Sequence, residues 1–115
     1  MFDLEKETSR HNKLMATELQ RISSKLQEMG ANKIILFGSY ARGQAGLCSD
    51  LDIFVVMHTD LPFIERTAHI YQQISPRTAT DILVYTPEEW QQMQNRPFIQ
   101  EALKEAIVLY EKTPS

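Results

Sequence analysis

"LFGSYARGQAGLCSDLDIFVV", residues 36–56, joins two apolar runs through a glycine-serine turn and brings two aspartates, Asp50 and Asp52, to the head of the second run. Leu51 to Met57 is almost wholly apolar and of strand length, the composition of a strand covered on both faces. Two like charges at the mouth of such a strand destabilise the fold unless something cationic lies between them. Side chains alternate along a strand, so Asp50 and Asp52 share a face with Cα atoms about 6.6 Å apart. Their carboxylates can therefore converge on one ion.

The run Lys33 to Phe37, β-branched and aromatic, predicts a preceding strand that Gly38 ends. Gly38 lets a phosphate approach the backbone with no Cβ in the way. If Ser39 to Arg42 forms a helical turn, its free N–H groups and the Ser39 hydroxyl point at an anion, and Arg42 adds a forked contact to phosphate oxygens. Thr80 to Tyr85 predicts a third strand with Asp81 at its start. If that strand lies beside the second, its carboxylate comes from about 4.8 Å away, and three acids share a pocket. Such a cluster raises at least one carboxylate pKa, whereas a divalent cation keeps all three ionised. Oxygen-only ligands favour Mg²⁺ or Mn²⁺ over zinc. None of the three histidines, His11, His58 and His69, stands at metal spacing from these acids.

Working outward, Met15, Leu19, Ile22, Leu26 and Met29 form the stripe of a core-facing helix that begins near Leu4 and stops at Gly30. Its first half is too polar to lie fully in a core, so the expectation is that it projects or meets a partner. Asp60 and Pro62 open a second helix, with Phe63, Ile64, Ala68, Tyr71 and Ile74 expected inward and Pro76 closing it. In "TPEE", residues 86–89, Thr86 caps, Pro87 takes the first turn and Glu89 completes a capping box. Pro97 restarts a helix with Ile99, Ala102, Leu103 and Ala106 on one face, and Ile107 to Tyr110 reads as an edge strand. The order is α, β, β, α, β, α, α, β. Gly43 and Gly46 read as turn formers, Cys48 as a small packing residue, and Trp90, Tyr71 and Phe98 as core or partner-surface aromatics. Of the four tyrosines, Tyr40 lies within the turn, where stacking on a base is the less favoured of its readings.

A chain of 115 residues predicts one domain, 1–115, that hides roughly 60–70% of its unfolded surface. No repeats, low-complexity tracts or linkers interrupt it. A formal charge of −3 argues against sequence-independent nucleic-acid binding, which needs surplus Lys and Arg. Cys48 is the single cysteine, so an intramolecular disulfide is impossible and a reducing cytoplasm fits. No stretch approaches the ~20 apolar residues of a membrane span, and the polar N-terminus lacks the apolar core of a signal peptide.

Gly38-Ser39, ten intervening residues, Asp50-x-Asp52, Arg42-Gly43 inside the gap and an aspartate heading the next strand resemble the minimal nucleotidyltransferases of the DNA polymerase β superfamily. The likeness covers about Lys33 to Tyr85. It implies an α/β (α+β) fold, a mixed sheet of about four strands flanked by helices. It also implies transfer of a nucleoside monophosphate from a nucleoside triphosphate to a hydroxyl. Asp50 and Asp52 would hold two Mg²⁺ ions, Asp81 would bind the second ion and assist deprotonation, and Gly38, Ser39 and Arg42 would bind the triphosphate. Larger relatives append an acceptor-binding domain, but this chain ends about thirty residues after its third strand. That resembles the antitoxins paired with all-helical HEPN ribonuclease toxins, which transfer AMP from ATP onto a toxin tyrosine. The implied partner is such a toxin, in a hetero-oligomer, with no membrane and no direct nucleic-acid binding. A non-catalytic antitoxin that neutralises by binding alone is the other reading, and retention of all three acids leans against it. A glycosyltransferase with its own DxD needs a longer chain.

Overall fold

The computed structural model describes residues 3–44 and 50–112, and the turn reading at Gly46 and the packing reading at Cys48 lie outside them. In chain order the elements are α1 (Leu4–Glu28), β1 (Lys33–Phe37), α2 (Gly38–Ala41), β2 (Leu51–Val56), α3 (Phe63–Ile74), β3 (Thr80–Tyr85), α4 (Pro87–Met93), α5 (Pro97–Leu103) and β4 (Ile107–Glu111). The strands form one sheet in the order β3-β2-β1-β4. β1 runs antiparallel to β2 and to β4, whereas β2 and β3 are parallel. The sheet is therefore mixed, flanked by helices on both faces, as the sequence predicts.

Strand alternation sorts the core into two clusters. Ile34, Leu36, Leu51, Ile53, Val55, Ile82 and Val84 face α1 and α3, meeting Met15, Ile22, Leu26, Ile70 and Ile74. Ile35, Phe37, Phe54 and Val56 face the other way, towards Trp90 of α4 and Ile99 of α5. Phe37 stacks on Phe54 at 4.0 Å between centroids. Asp52 and Asp81 follow the alternation of this second face. At their end of the strands the apolar cover gives way to the carboxylates.

α1 starts at an Asp3 cap, whose side chain accepts the Lys6 N–H at 3.2 Å. Gly30, at φ +98°, ends it and lets the Ala31 N–H return to Leu26 O at 3.0 Å. The expected stripe faces inward. Within it, unannounced by hydropathy, sits Glu18 at 2% exposure. Arg21 grips it with two hydrogen bonds of 2.7 and 2.9 Å and donates onward to the carbonyls of Ile74 and Ser75. Glu18 also accepts the Arg77 N–H. This network fastens α1 to the turn that leads into β3.

α3 departs from its expected orientation. Ile64 is 81% exposed and Phe63 and Ala68 also lie outside, while Arg66, Ile70 and Ile74 are buried. Arg66 was not among the residues expected inward. Glu89, from 23 residues away, supplies the carboxylate that lets it turn in, at 2.6 Å, and the guanidinium donates to Leu61 O and Val84 O as well. Glu89 also completes the predicted capping box of α4: Thr86 Oγ1 accepts the Glu89 N–H while Glu89 Oε1 accepts the Thr86 N–H. Trp90 is core, Tyr71 is half-buried and Phe98 is exposed. No helix among the described residues is long and apolar enough to cross a membrane.

Candidate active site

Four local features put the candidate residues at one end of the sheet. Phe37 ends β1 and pairs with Asp52 across the antiparallel ladder. Gly38 follows at φ +80°, a conformation that suits glycine, and starts the short α2 turn. Asp81 pairs with Asp52 across the parallel ladder, so the two side chains rise from the same face of neighbouring strands. Asp50, exposed, precedes β2 by one residue.

The approach between the turn and the acid is close. A Cβ added at Gly38 would overlap Asp52 Oδ2 and stand 3.0 Å from its Cγ. The missing side chain thus makes the space that the carboxylate occupies. A side chain at position 38 and the observed Asp52 rotamer exclude each other.

Electrostatics mark Asp52 as the strained member. Burial raises its pKa above the ordinary aspartate value, and the charges of Asp81 and then Asp50 raise it further. The Asp81 carboxyl adds a hydrogen-bonding contribution in the same direction, while Arg42 opposes all of these. Asp52 is half-buried and Asp81 exposed, so the pair opens to solvent. Among the described residues, no three side chains of His, Cys, Asp or Glu converge tightly enough to form a preformed ligand set. The structure brings Asp52 and Asp81 together and sets Asp50 within electrostatic reach of them.

This donor set fits a divalent cation in kind. It is all oxygen, it carries surplus negative charge, and the protein raises the pKa of its central member instead of neutralising it with a salt bridge. Ser39 is half-buried in the first turn of α2, where N–H groups have no intrahelical acceptor. Arg42 closes that turn, exposed, 3.8 Å from Glu105 of the segment after α5. Tyr40 is half-buried and packs against the α1–α3 core cluster. Beside Gly38 opens a pocket of about 500 Å³, walled by Phe37, Arg42, Phe98, Ala102 and Glu105. That volume lies in the range of small-molecule sites. The sequence reading missed this wall, because exposed Phe98 and the charged end of α5 carry no motif.

A mixed sheet that presents paired acids beside a glycine-serine turn is the arrangement that the resemblance to nucleotidyltransferases implies. The chain belongs to the family described as polymerase beta, nucleotidyltransferase, whose model matches residues 17–115. Among solved structures, a presumptive nucleotidyltransferase from Sulfolobus solfataricus shares the fold at a TM-score of 0.56 and 20% identity, over 94% of this chain and 86% of that one. A presumptive minimal nucleotidyltransferase aligns over 92% of this chain and 95% of its own at 21% identity, with a TM-score of 0.39. No curated protein matches significantly.

Proposed function

We propose that this nucleotidyltransferase domain moves AMP from ATP to a tyrosine hydroxyl of a HEPN ribonuclease toxin, and so acts as an antitoxin. The observation that carries the transfer chemistry is Asp52 held against Gly38 and paired with Asp81, a concentration of like charge that outweighs the opposing Arg42 and leaves the Asp52 pKa raised. The identity of the acceptor rests on the resemblance of the motif set to minimal antitoxin nucleotidyltransferases.

In this reading Asp50, Asp52 and Asp81 hold two Mg²⁺ ions, for which Mn²⁺ can substitute. When bound, these supply charge stabilisation to the entering and leaving oxygens of an in-line displacement. Gly38 admits the phosphate tail to the backbone, Ser39 donates to it and Arg42 offers a forked cationic contact. The acceptor oxygen bonds to the α-phosphorus as the bond to pyrophosphate breaks, and the hydroxyl proton passes to a carboxylate, assigned to Asp81. The pocket beside Gly38 gives room for a substrate group on the carboxylate side of the sheet.

Incubation of the chain with labelled ATP, Mg²⁺ and the product of a neighbouring gene is expected to label that protein on tyrosine. Asp52→Asn is expected to lower labelling about a thousandfold. An unlabelled partner in the presence of the unaltered chain would remove the assignment. Toxin neutralisation that survives Asp52→Asn would favour the binding-only reading.

A further inference from the structure

β3 is an outer strand of the sheet, yet three of its outward backbone groups are bonded to side chains. Leu51 N–H donates to Ala79 O and Met57 N–H to Tyr85 O, each at 3.0 Å. In a parallel ladder that register turns the odd-numbered residues of β3 towards β2 and leaves Thr80, Ile82 and Val84 facing away from it. The Tyr71 hydroxyl of α3 takes two of these groups: it donates to Thr80 O at 2.8 Å and accepts the Ile82 N–H at 2.9 Å. Arg66, one helical turn and a half earlier, donates to Val84 O at 3.3 Å. Two side chains of one helix therefore stand in for a missing fifth strand.

The two Tyr71 bonds straddle Asp81. A hydroxyl has one proton to donate and lone pairs to accept, so both bonds form together on one oxygen and fix the separation of the groups on either side of the aspartate. Asp81 has its own N–H and C=O committed to β2. Its backbone is thereby held from both edges of the strand, while its side chain stays exposed. We infer that Tyr71 is a positioning residue: its hydroxyl clamps β3 at residues 80 and 82 so that the Asp81 carboxylate stays beside Asp52 for cation binding. What Asp81 does with that position rests on the nucleotidyl-transfer reading; the clamp itself does not.

The test compares the unaltered chain with Tyr71→Phe, and with Thr67→Val as a control that removes a hydroxyl bonded only within α3, to Phe63 O. Amide hydrogen exchange is read at Ile82 and Asp81, Mn²⁺ affinity by calorimetry, and kcat and KM in the transfer assay. For Tyr71→Phe, exchange at both amides is expected to quicken about tenfold, with Mn²⁺ affinity and kcat falling by a similar factor and KM for the triphosphate unmoved. Thr67→Val is expected to leave all four unchanged. Unaltered exchange at Asp81, or unaltered Mn²⁺ affinity, in a folded Tyr71→Phe protein overturns the inference. Should that variant not fold, the unaltered chain still decides, since an unprotected Ile82 amide refutes the clamp. If the unaltered chain binds no Mn²⁺ at all, the transfer reading falls and exchange at Asp81 alone judges the positioning.

Discussion

Glu18 and Asp52 are both carboxylates drawn from solvent, and the protein treats them in opposite ways. Glu18, at 2% exposure, receives two bonds from Arg21 and one from the Arg77 backbone, and these hold its pKa below the ordinary glutamate value. Asp52 receives burial and the company of Asp81 and Asp50, which raise its pKa. One carboxylate is finished by the fold. The other is left among like charges that outweigh Arg42, and that contrast, more than its identity as aspartate, singles out the candidate site.

The comparison breaks most sharply at the finished end. Glu18→Gln leaves Arg21 and the Arg77 N–H without their anion and is expected to lower stability by about 3 kcal/mol in chemical denaturation. A loss near zero would mean that Glu18 is no more committed than Asp52. Next in size is Gly38→Ala. The new Cβ meets the Asp52 carboxylate and the residue sits at φ +80°, so a stability loss of about 1–3 kcal/mol is expected, together with weaker Mn²⁺ binding. Stability lost without any change in cation binding would detach the turn from the acid.

The smallest effect is a pH slope. Asp52 has a raised folded pKa, so the folded chain holds more protons than the unfolded one between the ordinary and the raised value, and stability declines as pH rises through that interval. Glu18 and Glu89 are lowered, Glu18 chiefly by Arg21 and Glu89 chiefly by Arg66. They stabilise above the ordinary glutamate range, and that contribution is lost as pH falls through their folded values. Denaturation of cation-free protein across mildly acidic pH is expected to show the declining component in the unaltered chain and not in Asp52→Asn. Identical profiles would show that Asp52 is not under strain.

Much of this could be read in the residues. β1 and β3 run over the predicted spans because each is a β-branched run closed by a breaker, Gly38 in one case and the Thr86-Pro87 cap in the other. The conjunction of Gly38, Asp52 and Asp81 was also legible, because alternation and parallel pairing fix which side chains share a face. What stayed hidden was charge inside the core. Arg66 and Glu18 look like solvent-facing positions until Glu89 and Arg21 are placed beside them, and the Arg66–Glu89 pairing is long-range. Tyr71 read as a packing aromatic for a related reason: the backbone groups it binds belong to a strand nine to eleven residues away.

The outer edge of β3, occupied by Tyr71 and Arg66, has a consequence for self-association. A foreign strand cannot zip onto that margin without first displacing a phenol and a guanidinium. Among the described residues, growth of the sheet is thereby steered to the opposite border, where β4 presents Ile107 and Val108 to water. Aggregation through strand addition would begin there, on the margin two strands from β2.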